Sequence, residues 1–180
     1  MSNLRKYAAI GLAALFAFFL VFSGISSCTN SETQNQKIKP STQNTYEPKF
    51  RKDGKLWFIK AATGDTIKQM DVEYANTLDR IEYGMMYRKS MTEDMSMLFF
   101  MGDMEMRSFW MKNTYVSLDI LFIDDQLQIV SIQKNAEPLN TRSLPSTGPA
   151  QYVLEVKGGL CDKLGVSAGD KISFTDFATE

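Results

Sequence analysis

The feature that most constrains the fold of this chain is a series of short apolar segments separated by turn residues. Several alternate apolar and polar residues, as strands with one buried face do. Strands are predicted over residues 56–59, 66–75, 97–101, 108–112, 118–123, 128–133, 151–156 and 171–174. Minor helices are predicted over residues 78–88 and 158–164. About eight short strands with two minor helices indicate a mostly β barrel or sandwich.

The N-terminal region is predicted to contain a signal peptide followed by a polar tether. Residues 5 and 6 are basic, and residues 8–22 form an apolar run, which together are typical of a signal peptide. The sequence ISSC that ends at Cys28 resembles a bacterial lipobox, in which the cysteine is lipidated and becomes the new N-terminus. We therefore predict a signal peptide over residues 1–27, a lipidated Cys28 with a disordered polar tether over 28–49, and one globular domain over 50–178. An uncleaved membrane anchor is the alternative.

Composition excludes several classes of function. The formal net charge is −1, so no nucleic-acid partner is expected. The chain has 0 histidines, which excludes Ser-His-Asp and Cys-His catalysis and removes common metal ligands. Nine methionines between residues 85 and 111 could bind Cu(I), but methionine also packs irregular cores well. We predict no metal and no cofactor.

The second cysteine, Cys161, has no cysteine left to pair with if Cys28 is acylated. It lies in a predicted short helix, and the surrounding sequence offers no base to activate a thiol. We interpret it as a small core residue. The two glycines before it, Gly158 and Gly159, would let the chain turn from strand into helix, and they resemble a phosphate-binding loop only weakly.

Several motifs occur in the order typical of one known family. They are GMMYRKSM, SMLFFM, FWMKNT, LDILFID, a Pro-Ser before QYVLEV, then GGL and GDKISF. On these residues the chain resembles the family of domain of unknown function 192 over residues 72–174. Met85 and Ser96 depart mildly from the usual leucine and glycine. The resemblance implies a small, mostly β, jelly-roll-like barrel or sandwich, and it brings no settled activity.

A cluster of aromatic and polar side chains stands just before the most apolar predicted strand. In an extended chain Trp110 and Lys112 point to one face, and Asn113 points to the other. An aromatic platform beside a cation suits a flat or sugar-like ligand with an acid or polyol group. A cation–π contact that only stabilises the domain is the alternative. We predict that Ser146, in the proline-containing loop over residues 136–149, also contributes to this site.

Three charged residues require partners wherever they are buried. Arg88 resembles the arginine of the family's first motif, and it could bind a carboxylate of a ligand or an internal one such as Asp119 or Glu155. Asp119 and Glu155 each lie in a predicted core strand, where an unpaired charge is costly. Two such carboxylates also raise the alternative of a hydrolase that works without histidine.

The leading functional prediction is a non-catalytic binding module in the bacterial cell envelope. It would be anchored to a membrane through Cys28, facing the periplasm or the cell surface, and would hold a small polar or sugar-like ligand or a partner segment. Its predicted site combines Arg88, Trp110, Lys112, Asn113 and Ser146. The alternatives are the hydrolase with Asp119 and Glu155, and a purely structural envelope protein.

Overall fold

A computed structural model describes residues 47–175 of the 180-residue chain. The predicted signal peptide, Cys28 and most of the tether lie outside the described residues, as do residues 176–178 of the predicted domain. The elements are β1 (Gly54–Ile59), β2 (Thr66–Ala75), α1 (Leu78–Tyr83), β3 (Met95–Phe109), β4 (Leu118–Ile123), β5 (Ile129–Ala136), β6 (Leu144–Lys157), α2 (Leu160–Leu164) and β7 (Lys171–Phe174). None of the helices within the described range is long and apolar enough to cross a membrane.

The strands form one sheet in the order β5-β4-β6-β3-β2-β1-β7. Neighbouring strands are antiparallel except β2 and β3, which are parallel. The sheet curls into a half-barrel, so that its two edge strands approach each other. Ile129 N donates to Asp170 O at 2.8 Å, and Gln128 forms a bridge with Lys171. The mostly β fold class is therefore confirmed.

The main differences from the predicted elements occur in β3 and β6. The predicted strands 97–101 and 108–112 belong to one strand, β3, which ends at Phe109. The predicted loop over residues 136–149 is wrong, because β6 begins at Leu144. Its first half pairs with β3 alone, since β4 pairs only with residues 152–157. The other edge of this half has no strand partner among the described strands, so Pro145 and Pro149 can occur there without breaking the hydrogen-bonded ladder of a central strand.

Both faces of the sheet carry an apolar cluster, because side chains alternate along each strand. On β4, Leu121 and Ile123 join the cluster inside the curl, which α2 helps to cover. Ile120 and Phe122 join the second cluster, on the outer face. Buried methionines cover this outer cluster, and three of them lie outside the strands, at positions 85, 91 and 111. Of the nine methionines that the sequence left open to copper binding, those at positions 85, 91, 97 and 111 are buried packing residues, whereas Met104 and Met106 are exposed.

Candidate functional site

The outer face of the sheet is covered by a tight turn after α1. Thr77 caps α1, and its Oγ1 accepts a hydrogen bond from Arg80 N at 3.4 Å. The helix stops at Gly84, which has a φ of 47°, whereas the sequence predicted a helix as far as residue 88. A Cβ at position 84 would lie 3.1 Å from Phe99 Cζ and 3.8 Å from Glu155 Oε2. Glycine therefore lets the turn press directly onto the sheet.

The turn places Arg88 in the interior, where it pairs with Glu73. Its Nη2 donates to Glu73 Oε1 at 2.9 Å, and the Arg88 residue is 6% exposed. Arg51 binds the same carboxylate, with 3.1 Å from Arg51 N to Glu73 Oε2. The internal partner of Arg88 is therefore Glu73 and not Asp119 or Glu155. Arg88 Nε has no hydrogen-bond partner among the described residues.

Glu155 lies two strands away from Glu73 on the same face. Met97 on β3 pairs with Glu73 on one side and with Glu155 on the other. Glu155 is 4% exposed, and its Oε2 has no hydrogen-bond partner within residues 47–175. Burial raises the pKa of Glu155 to about 8, although the nearby charge of Arg88 acts in the opposite direction. The carboxyl is therefore mostly neutral at pH 7.

Asp119 faces the other side of the sheet. It pairs with Val156, whereas Glu155 pairs with Ile120, so the two carboxyl groups point to opposite faces. Both oxygens of Asp119 are occupied by backbone N–H groups: Asn135 at 2.8 Å, Gly159 at 3.0 Å and Cys161 at 2.8 Å. Asp119 and Glu155 thus do not share a cleft, and the geometry does not support the predicted hydrolase pair.

The chain segment after β3 forms the wall of a groove. Trp110 is 48% exposed, and Lys112 Nζ lies 5.0 Å from the centroid of its ring system. The two side chains share a face as predicted, although residues 110–112 are not part of a strand. Met111 between them is fully buried, and its N donates to Asn140 O at 2.9 Å. The buried methionine fixes the orientation of the two exposed side chains.

Asn113 joins this wall to the turn that carries Arg88. Tyr87 N donates to Asn113 O at 2.8 Å, and Asn113 Nδ2 donates to Tyr87 Oη at 2.9 Å. Both residues have positive φ, 66° for Tyr87 and 56° for Asn113. Such conformations are uncommon for residues other than glycine and tend to cluster at functional sites.

Two open cavities meet at Tyr83 and Tyr87. The first has a volume of about 460 Å³ and is lined by Ile81, Glu82, Tyr83, Met86, Tyr87, Met101, Ser108, Phe109, Trp110, Lys112 and Asn113; we call it the Trp110 groove. The second, of about 390 Å³, lies beside Glu73 and Arg88. Both volumes fall in the range of small-molecule sites, roughly 300–1,000 Å³.

A small cavity of about 40 Å³ continues inward from the Trp110 groove. It shares Trp110, Tyr83 and four other lining residues with the groove. Glu155, Thr114 and Gly84 also line it. The buried carboxyl is therefore next to the inner end of the Trp110 groove.

The structure brings together four of the five predicted ligand-binding residues around these cavities. Trp110, Lys112 and Asn113 line the Trp110 groove, and Arg88 lines the adjacent cavity. Ser146 is the exception. It lies in β6 rather than in a loop, is 4% exposed, and its Oγ accepts a hydrogen bond from Arg107 N at 3.0 Å. This is a structural contact between two paired strands.

Sequence reasoning missed Glu73, Tyr83 and Tyr87. Glu73 interrupts an apolar stretch at the end of β2, which was a usable signal for a buried carboxylate that needs a cation. The two tyrosines carried no such signal, because half-exposed tyrosines are common on surfaces. In the part of the chain that the structure describes, no group of three or more acidic or cysteine side chains could hold a metal ion. Burial raises the pKa of the Cys161 thiol far above its usual range.

Fold and site together define a small β half-barrel domain with an aromatic groove over buried charged side chains. The chain belongs to the family of domain of unknown function 192, described as an uncharacterised ACR, whose sequence pattern matches residues 59–174. No curated protein matches the chain significantly.

Two solved structures share this fold. One is a protein of Sinorhizobium meliloti 1021, described provisionally as a transcription regulator, with 39% identity and a TM-score of 0.64. The match covers 67% of this chain and 92% of that protein. The other, from Novosphingobium aromaticivorans DSM 12444, is described as of unknown function, with 32% identity and a TM-score of 0.62. There the match covers 66% of this chain and 83% of that protein.

Proposed function

We propose that this domain is a non-catalytic binding module that holds a small polar ligand in the Trp110 groove. The observation that carries the proposal is the combination of exposed aromatic walls with a buried carboxyl oxygen that has no partner at the inner end. Small-molecule sites are mainly apolar concavities with a few polar groups that fix orientation. The Trp110 groove has this composition.

Three aromatic side chains in the groove are exposed far beyond what packing requires. Tyr83 is 58% exposed, Trp110 48% and Tyr87 39%. Large apolar side chains that are exposed together mark interaction sites more often than those scattered singly. Lys112 and Asn113 add a cation and a carboxamide at the rim, so the groove offers stacking surfaces and hydrogen-bonding groups together.

The rigidity of the groove also favours recognition. The Tyr87–Asn113 hydrogen bonds and the buried Met111 hold its two walls in place. A preformed site spends little binding free energy on ordering side chains. A catalytic role gains no comparable support, since Asp119 and Glu155 lie on opposite faces of the sheet and the Asp119 oxygens already accept three backbone hydrogen bonds.

The binding proposal is tested with a fragment library of neutral polyols, anions and amines against the detergent-solubilised full-length chain. Ligand-observed NMR detects binding, and Trp110→Ala and Lys112→Ala are the test variants. We expect at least one class of fragment to bind the wild type and to lose most of its affinity in Trp110→Ala. Arg142→Ala, at an exposed position away from the groove, is the control. If every fragment binds both variants as it binds the wild type, the groove is not the site.

We also propose that the protein is a lipoprotein of the bacterial cell envelope, anchored through Cys28 and facing the periplasm or the cell surface. The proposal rests on the basic residues 5 and 6, the apolar run over 8–22 and the ISSC sequence. A single acyl chain anchors only marginally, whereas a lipobox cysteine carries several. The polar residues between Cys28 and the domain would let the Trp110 groove stand away from the membrane.

Membrane fractionation tests the anchor. Cys28→Ser should move the protein from the membrane to the soluble fraction, because the acyl chains have no other attachment point in the lipobox. Cys161→Ser is the matched control and should stay in the membrane fraction. Retention of Cys28→Ser in the membrane would instead indicate an uncleaved N-terminal anchor.

A further inference from the structure

We propose that the small inner cavity binds one hydroxyl group of a neutral polyhydroxy ligand, through the Glu155 carboxyl and the Thr114 hydroxyl, while an apolar face of the ligand rests on Trp110. This inference rests on the proposed binding function and specifies the class of ligand. Its experiment therefore separates a failure of the ligand class from a failure of the groove.

The size of the inner cavity sets the size of the group. Its volume is about 40 Å³, and a single water needs roughly 10–15 Å³ measured in this way. The cavity therefore has room for a hydroxyl or a hydroxymethyl group and not for a ring. Since it opens into the 460 Å³ groove, the rest of the ligand would lie outside it against the aromatic walls.

The polar atoms of the inner cavity determine the hydrogen bonds that the group must make. Glu155 Oε2 is buried and has no partner in the described part of the chain. Thr114 is 4% exposed, and its Oγ1 donates to Lys112 O at 3.3 Å, which leaves the hydroxyl oxygen able to accept. A ligand hydroxyl can donate one hydrogen bond and accept others, so it can satisfy both side chains.

The electrostatic surroundings disfavour a charged ligand group. An anion would lie near the acidic side chain of Glu82, which lines both the inner cavity and the Trp110 groove. A cation would lie near the buried guanidinium of Arg88, whose charge already acts on Glu155. Apolar side chains form most of the remaining wall, and an ion that enters such a site loses its hydration without full compensation. A neutral hydroxyl avoids all three costs.

The aromatic wall suits the remainder of such a ligand. Trp110 presents a flat, half-exposed ring beside the cavity mouth, and the apolar C–H faces of a sugar ring can pack on it while its hydroxyl groups stay hydrated. Lys112 lies over the same ring system at 5.0 Å, where its ammonium can donate to outer hydroxyl groups. A sugar with a free hydroxymethyl group meets each requirement.

The test uses the detergent-solubilised full-length chain with Trp57→Phe, so that Trp110 is the fluorescent reporter. Trp57 lies on β1, away from the groove. The neutral probes are cellobiose, maltose, lactose and N,N′-diacetylchitobiose. The charged probes are 6-amino-6-deoxyglucose and glucuronic acid, in which a charged group replaces the hydroxymethyl group. We expect at least one neutral probe to bind, the charged probes to bind at least ten-fold more weakly, and the deoxy analogue that lacks the hydroxymethyl oxygen to lose roughly ten-fold.

Substitutions at the inner cavity complete the test. Glu155→Gln keeps a neutral group that both donates and accepts, so it should bind the neutral probe within about three-fold of wild type. Glu155→Leu and Thr114→Val remove the hydrogen-bonding atoms and should each lose roughly ten-fold. Urea unfolding of each variant shows whether the domain is intact, and the Gln variant provides a folded comparison at the same position.

The possible results are distinct. Binding of the charged probes at equal or higher affinity, or unchanged affinity in Glu155→Leu, overturns the hydroxyl assignment and leaves the groove as a site for another class. Failure of all neutral probes, together with a fragment of another class that depends on Trp110, also overturns it. If no probe and no fragment perturbs Trp110, both the assignment and the proposed binding function are wrong.

Discussion

Tyr87 and Asn113 hold each other in left-handed backbone conformations through two hydrogen bonds, one from Tyr87 N to Asn113 O at 2.8 Å and one from Asn113 Nδ2 to Tyr87 Oη at 2.9 Å. The pair connects the turn that carries Arg88 with the wall that carries Trp110. Neither conformation is favourable for these residues alone, and each is retained because the other chain segment supports it.

Substitution of Asn113 should therefore separate backbone strain from hydrogen bonding. We expect Asn113→Ala to lower the free energy of unfolding by about 1–2 kcal/mol, because it loses a hydrogen bond and tolerates positive φ poorly. Asn113→Gly should be closer to wild type, since glycine adopts positive φ without a Cβ clash. Tyr87→Phe removes only the side-chain bond and should cost about 0.5–1.5 kcal/mol. Urea unfolding measures all three, and equal losses for the alanine and glycine variants would exclude a role for strain.

Replacement of Asp119 should destabilise the whole domain. Its carboxylate accepts hydrogen bonds from three backbone N–H groups, at Asn135, Gly159 and Cys161, and all three would be left without an acceptor in Asp119→Ala. We expect a loss of roughly 3–5 kcal/mol, since several buried donors are orphaned together. The exposed Asp125 provides the control, and Asp125→Asn should stay within about 0.5 kcal/mol of wild type. A loss under 1 kcal/mol for Asp119→Ala would contradict this account.

Glu155 should make the stability of the domain depend on pH. Its pKa rises from an ordinary 4.5 to about 8 in the folded state because the side chain is buried. Between these values the unfolded chain releases a proton that the folded chain retains, so the contribution of Glu155 to stability is greatest below about pH 4.5 and falls as the pH rises to about 8. The loss is at most about 5 kcal/mol, at ~1.4 kcal/mol for each pKa unit.

The glutamine variant isolates this contribution. Glu155→Gln cannot ionise, so its advantage over wild type in urea unfolding should grow from pH 5 to pH 8. A constant difference across that range would show that Glu155 does not titrate as described. Glu105→Gln, at an exposed position on β3, is the matched control and should lack a trend of that size over the same range.

Replacement of only one partner of the buried Arg88–Glu73 salt bridge should lower the free energy of unfolding substantially. Both side chains are 7% exposed, and their salt bridge measures 2.9 Å. Arg88→Met leaves a buried carboxylate with Arg51 as its remaining partner, and we expect a loss of about 3 kcal/mol. The double variant with Glu73→Leu should recover part of it, because no unpaired charge then remains. Thermal and urea unfolding provide the measurement, with Arg142→Met as the exposed control.

The same substitution has a second, independent readout at Glu155. The charge of Arg88 lowers the pKa of Glu155 against the larger effect of burial, so Arg88→Met should raise that pKa further. The pH window over which stability falls would then extend above pH 8. An unchanged window would indicate that the two groups are electrostatically independent.

Strands with strong local patterns were predictable from the sequence. Thr66–Ala75, Leu118–Ile123 and Lys171–Phe174 agree with the structure at both ends, since their apolar residues and flanking turns are local signals. The long β3 was predicted as two strands because its charged middle section resembles a loop. That section is a strand through its pairing with the first half of β6, and such pairing over many residues leaves no local trace.

The site was predictable in its residue types and less so in its geometry. Trp110, Lys112 and Asn113 form a coherent local motif and do line one groove. The pairing of Arg88 with Glu73 instead of Asp119 or Glu155 depends on which strands are neighbours and on the face each residue occupies. A one-residue change in register would reverse those faces, and the sequence contains no direct record of register.

The pairing of β1 with β7 has a consequence for how the domain is completed. Lys55 N donates to Thr175 Oγ1 at 3.0 Å across a separation of 120 residues. The first and last described strands of the domain are therefore in direct contact. Closing so long a stretch of chain carries an entropic cost before its contacts form, and topologies of this kind fold slowly. During synthesis one edge of β1 stays unpaired until β7 emerges. We therefore expect a chain truncated before Lys171 to leave an exposed strand edge that is prone to intermolecular pairing.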